Sequence, residues 1–135
     1  MHSRGTPETM ASMTNYEDMT LEILNFFIKK IAILRGGGVT DIVIDAGFGF
    51  AKTVEQNFEL LKKMHVFKTL EVPILAGLSR KSMIWRTLGC TAEEAANGTT
   101  ALNVLALQQG AKILRVHDVK FAAETITLIN KYLNA

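Results

Sequence analysis

The chain has 135 residues, 48% hydrophobic and 21% charged, with a formal net charge of +2, which suits one globular domain with its own core. This near balance of charge excludes the basic surface of a nucleic-acid binder. The single cysteine, Cys90, excludes an internal disulfide and fits a reducing cytoplasm best. The opening "MHSRGTPETM" has no apolar signal-peptide core, and no apolar run reaches membrane-spanning length, so no membrane partner is expected.

In chain order, Tyr16 to Leu34 reads as a helix, because Met19, Ile23, Phe26, Phe27, Lys30, Ile31 and Leu34 recur near the 3.6-residue period. "GGGVTD", Gly36 to Asp41, ends it. "IVID", Ile42 to Asp45, is a short strand rich in branched residues. A helix is expected from Thr53, where Thr53 and Gln56 match a capping box. "VPILAGLS", Val72 to Ser79, is a continuous apolar run, the pattern of a strand buried on both faces. "RKSMIWRTLG" is a short helix closed by Gly89. A second capping box, Thr91 and Glu94, opens the next helix, which runs to Gly110. "KILRVHD", Lys112 to Asp118, is the third strand, and Val119 to Leu133 the last helix. The order is α-β-α-β-α-α-β-α, which implies parallel strands and an α/β fold.

In such folds ligands bind at the carboxyl ends of the strands. The first strand delivers Asp45 and the turn "GFGF". The second delivers Gly77, Ser79, Arg80, Lys81 and Ser82, and the third Arg115, His117 and Asp118. Alternation along the third strand puts Ile113, Arg115 and His117 on one face, with Leu114 and Val116 on the other. Two basic groups on a strand need an anion or an acid beside them. One resolution is an internal ion pair, with Asp45 as the acid. The other is a phosphate site, which the planar fork of arginine suits. At "GLSRKS" the helix start attracts carboxylate or phosphate, or Ser79 simply caps it. Phe48 and Phe50 are ordinary core candidates, or one of them walls an aromatic ligand. His65 reads as solvated. The histidines and the cysteine have no metal-ligand spacing.

The ordered motifs "MHSRGTP", "DAGFGFAK", "GLSRKS", "NGTTALN" and "RVHDV" together resemble the C-terminal half of the dihydropteroate synthase family, over essentially the whole chain. The resemblance implies residues 1–135 as part of a (β/α)8 barrel, with the three strands as its sixth, seventh and eighth. It implies a folate-pathway transferase that joins 6-hydroxymethyl-dihydropterin pyrophosphate to p-aminobenzoate and releases pyrophosphate. By that resemblance, Asp45 binds the pterin ring, Lys81 contacts it, and Gly77 permits close approach. Arg115 and His117 hold the pyrophosphate. Ser82 receives the p-aminobenzoate carboxylate, and Phe50 lines its slot. Mg²⁺ is expected with the pyrophosphate, held by groups outside this chain, and a homo-oligomer is expected.

Ala46 stands where that family usually has proline, which should loosen the turn after Asp45. A barrel of this kind needs about 250 residues, so the chain reads as a fragment with little synthase turnover of its own. Two rival readings are a pterin-binding methyltransferase domain and a non-catalytic half-barrel. "RVHD" and "SRKS" together favour the synthase, because a methyltransferase has no pyrophosphate to release.

Overall fold

The computed structural model describes residues 1–135 throughout. The expected α-β-α-β-α-α-β-α order is present. Helix α1 is Met19–Gly36, strand β1 Ile44–Asp45, α2 Val54–Lys63, β2 Ile74–Ala76, α3 Ser82–Leu88, α4 Ala96–Gln108, β3 Ala111–Leu114 and α5 Val119–Leu133. The strands form one three-stranded parallel sheet in the order β1-β2-β3. Neighbouring helices pack in sequence, α1 on α2, α2 on α3, α3 on α4 and α4 on α5.

Several boundaries differ from the sequence expectation, each for a local reason. Helix α1 starts at Met19 rather than Tyr16, because the Asp18 side chain caps it by accepting the Leu21 N–H at 3.0 Å. Tyr16 instead reaches across to donate its hydroxyl to the Ala51 carbonyl at 2.9 Å. Strand β2 is shorter than Val72–Ser79. Pro73 has no N–H for the ladder, although its carbonyl accepts the Ile44 N–H at 3.0 Å. The Thr53–Gln56 capping box forms on α2 as expected. The Thr91–Glu94 box also forms, but it closes a preceding turn and α4 begins only at Ala96. Beyond α2 the chain tightens into 3-10 turns over Met64–Leu70, which bury Met64 and Phe67.

The register decides which residues face where. Ile44 pairs with Ile74, and Ile74 with Ala111; one step on, Asp45 pairs with Leu75 and Leu75 with Ile113. The ladder skips one residue of β3 between these two rows, a bulge that leaves Lys112 unpaired. Ile44, Ile74, Ala76 and Ala111 are buried with Ile23, Phe27, Leu60, Met64, Phe67, Met83 and Ile84 in a single helix-side core. The opposite face carries Asp45, Leu75 and Ile113, and Ile113 is 39% exposed. One face of the sheet is therefore packed and the other open, as in a segment cut from a barrel. The N-terminal segment runs along the outer edge of β1, where the His2 N–H donates to the Asp45 carbonyl at 2.9 Å.

Candidate functional site at the strand ends

Beyond Asp45 the chain turns through two left-handed glycines, Gly47 (φ 74°) and Gly49 (φ 78°). A side chain at Gly47 would run into the His2 carbonyl, and one at Gly49 would meet Lys81 Cδ at 3.1 Å. Only glycine fits either place. The turn after Ala46 is tied by side chains. Asp45 Oδ1 accepts the Gly47 N–H at 2.8 Å, and Asn57 Oδ1, buried on α2, accepts the Gly49 N–H at 2.7 Å. Phe48 is fully buried, whereas Phe50 lies part-exposed with the Lys81 ammonium 4.3 Å from its ring centre. Phe50 is thus the site-facing aromatic and Phe48 the core one. Burial, and after it the nearby Arg115 charge, holds the Lys81 ammonium below the ordinary lysine range.

Arg115 continues the ladder past β3, its N–H donating to the Ala76 carbonyl at 3.0 Å. Its guanidinium lies over Gly77, where a Cβ would come within 2.6 Å of Nη2. From there Nη2 reaches Asp45 Oδ2 at 3.1 Å. The ion pair considered as an alternative from sequence therefore exists. It is a single contact and leaves the Arg115 side chain 56% exposed. Beside it Gly77, Ser79, Lys81, Arg115, Val116 and His117 line an open cavity of about 270 Å³. The ion-pair alternative is thus present, and a cationic opening lies next to it.

Ser79 does not cap α3. The N-cap is Lys81, and α3 begins at Ser82, so Ser82 is placed at the helix start as expected. Ser79 is buried, and its Oγ lies 2.8 Å from His117 Nδ1 while accepting the His117 backbone N–H at 3.1 Å. The next residue repeats the link: Arg80 reaches both Asp118 oxygens, at 2.9 and 3.3 Å. Arg80 holds a left-handed backbone (φ 55°), braced where its N–H donates to Thr99 Oγ1 at 3.1 Å. The "NGTTALN" stretch thereby supports the site from behind, through Thr99 and through Gly98, whose missing Cβ admits Ile84 and Leu88.

Sequence reasoning overlooked one feature beside the site. His2 and Lys52 are both buried, with Nδ1 and Nζ 3.3 Å apart. Lys52 also donates to the Gly47 and Phe50 carbonyls at 2.9 and 3.0 Å. Burial lowers Lys52 to about 8; burial and then the Lys52 charge lower His2 to about 4. The closing lysine of "GFGFAK" was visible in the sequence, but nothing there showed that it would be desolvated. His65 is exposed, as expected, and bonds to Gln109 at 2.8 Å.

A family model described as pterin binding enzyme matches residues 1–117. The dihydropteroate synthase of Escherichia coli K12 is 38% identical over 137 aligned residues, which take in 100% of this chain and 49% of that protein. The enzyme of Synechocystis is 42% identical over 127 residues, 92% of this chain and 44% of that one. A crystal structure of Yersinia pestis dihydropteroate synthase with a sulfonamide drug superposes with a TM-score of 0.95 at 34% identity, over 99% of this chain and 50% of that one. The chain spans about half the length of these relatives. With a family match across most of its length and its cationic and acidic groups gathered at the carboxyl ends of parallel strands, the chain belongs to the pterin-binding enzyme family.

Proposed function

We propose that this chain forms the pterin and pyrophosphate half of a dihydropteroate synthase active site. The observation that carries this reading is the meeting of Lys81, Arg115 and His117 around one open cavity, with Asp45 paired to Arg115 beside it. Asp45 accepts paired N–H groups from the pterin ring, and Lys81 contacts the same ring with Gly77 beneath. Arg115 and His117 take the pyrophosphate. As the bond from the pterin methylene carbon to the pyrophosphate oxygen breaks, negative charge grows on the leaving group. Preorganised cations stabilise that charge more than they stabilise the bound substrate. The amine of p-aminobenzoate attacks the methylene carbon, forms the new C–N bond and gives up a proton. Its carboxylate lies toward Ser82, and its ring along Phe50.

A cationic pocket suits a pyrophosphate leaving group and favours this reading over a methyltransferase domain. No three His, Cys, Asp or Glu side chains come together to hold a metal ion. The chain therefore offers no cage for Mg²⁺, and no step above is assigned to the ion. A reducing cytoplasmic setting and a homo-oligomer belong to the same proposal. No helix is long and apolar enough to cross a membrane.

Calorimetry on the 135-residue chain tests the assignment. Pyrophosphate is expected to bind, with Arg115→Ala weakening it at least tenfold, the loss of a charge-assisted contact. Asp45→Ala should weaken a pterin analogue and leave p-aminobenzoate little changed, because the ring donors lose their acceptor. Unchanged affinities in both variants would rule the reading out.

A further inference from the structure

We infer that Ser79 is a positioning residue that sets the ring of His117 for an anion. This rests on the proposed anion site and adds a role for a residue not otherwise assigned to it. The Ser79 oxygen receives the His117 backbone N–H at 3.1 Å and lies 2.8 Å from Nδ1 of the same residue. That N–H takes one of the oxygen's two lone pairs, and in the arrangement we infer the hydroxyl proton points at Nδ1. A hydroxyl donates only one hydrogen. The neutral ring then accepts at Nδ1 and carries its hydrogen on Nε2. That leaves a donor for the cavity that His117 and Arg115 line. An anion needs donors, so the opposite tautomer would present it with a lone pair. The partner of one ring nitrogen decides what the other presents.

The placement is built rather than incidental. Ser79 is 6% exposed, and the adjacent Arg80–Asp118 pair runs parallel to it between the same two loops. Together the two contacts hold the loop after β3 against the loop after β2. The direction of His117 is thus set by β2, whose loop also supplies Lys81.

Histidine-selective ¹⁵N labelling reads this directly, since the chain has three histidines. At a pH where the ring is neutral, His117 is expected to show an acceptor-type Nδ1 and a protonated Nε2. In Ser79→Ala the two nitrogen shifts should move toward each other, with pyrophosphate affinity falling about fivefold to twentyfold, the worth of one hydrogen bond. Ser79→Thr keeps the hydroxyl and should restore both. A protonated Nδ1 in the unmodified chain overturns the inference without any variant, even if Ser79→Ala does not fold. So does a folded Ser79→Ala with unchanged shifts. A tautomer that follows Ser79 in a chain that binds no pyrophosphate supports the positioning role and removes the anion reading alone.

Discussion

Lys52 and His2 form a buried, desolvated pair beside the site. The Lys52 ammonium places its three hydrogens toward the Gly47 and Phe50 carbonyls and His2 Nδ1, so the buried charge is fully partnered. His2 must stay neutral to accept. A histidine whose folded value is lowered to about 4 from 6.5 binds fewer protons in the folded chain than in the unfolded one across that window. Stability therefore rises with pH from about 4 to 6.5 and is lost again on acidification, by an amount on the order of 2–3 kcal/mol. The His2 ring should titrate near pH 4 by NMR. Denaturant midpoints should drop between pH 6.5 and 4, and His2→Phe should flatten that limb. A ring titrating near 6.5 would show the pocket to be wet. Lys52, lowered to about 8 against 10.5 unfolded, acts in a second window: stability rises further between those two values, as the folded chain gives up its proton first.

At the scale of elements, close approaches hold the site together. Gly77, just after β2, lets the Arg115 side chain from beyond β3 lie flat across it. Gly77→Ala would put a methyl 2.6 Å from Arg115 Nη2 and push the guanidinium off the strand. The expected result is loss of the Asp45 contact and weaker pyrophosphate binding, about tenfold, with little change in unfolding midpoint. Unaltered binding would mean that Arg115 does not act from this position. Behind the site, Thr99 keeps α4 engaged with the left-handed Arg80. Thr99→Val preserves the shape but leaves the Arg80 N–H without its acceptor, at a cost of about 1–3 kcal/mol. Denaturant unfolding measures it, and a loss below about 0.5 kcal/mol would assign the loop's shape to the Arg80–Asp118 pair instead.

For the whole molecule, the open sheet face and the outer helix surfaces dominate. Ile113 is 39% exposed on the face opposite the core, and Val43 is 48% exposed just before β1. On α5, Phe121, Leu128 and Tyr132 fall at helical spacing and are 47%, 71% and 69% exposed. Unpaired strand edges and apolar faces of this extent recruit other chains. The 135-residue chain is expected to self-associate and to release little pyrophosphate from the two substrates. Light scattering with a coupled pyrophosphate assay checks both. Leu128→Lys and Ile113→Lys separate the helix surface from the sheet face, since only the contacting one should shift the association. A stable monomer with full turnover would overturn this account.

By itself the sequence determined the order of elements, the parallel sheet and the end of it where the acidic and cationic residues gather. Apolar periods of 2 and 3.6 are local, and parallel strands deliver Asp45, Lys81, Arg115 and His117 to one rim by geometry alone. The ordered motifs also identified the family. Exact strand lengths were not legible, because pairing depends on neighbours such as Pro73 and on the bulge at Lys112. Only the tertiary structure decided the partners. Asp45 and Arg115 are 70 residues apart, His2 and Lys52 are 50, and Ser79 and His117 are 38. Such contacts follow from register and packing, which no local pattern encodes. The same holds for desolvation: whether a lysine lies in water or is buried against carbonyls depends on what the rest of the chain folds over it.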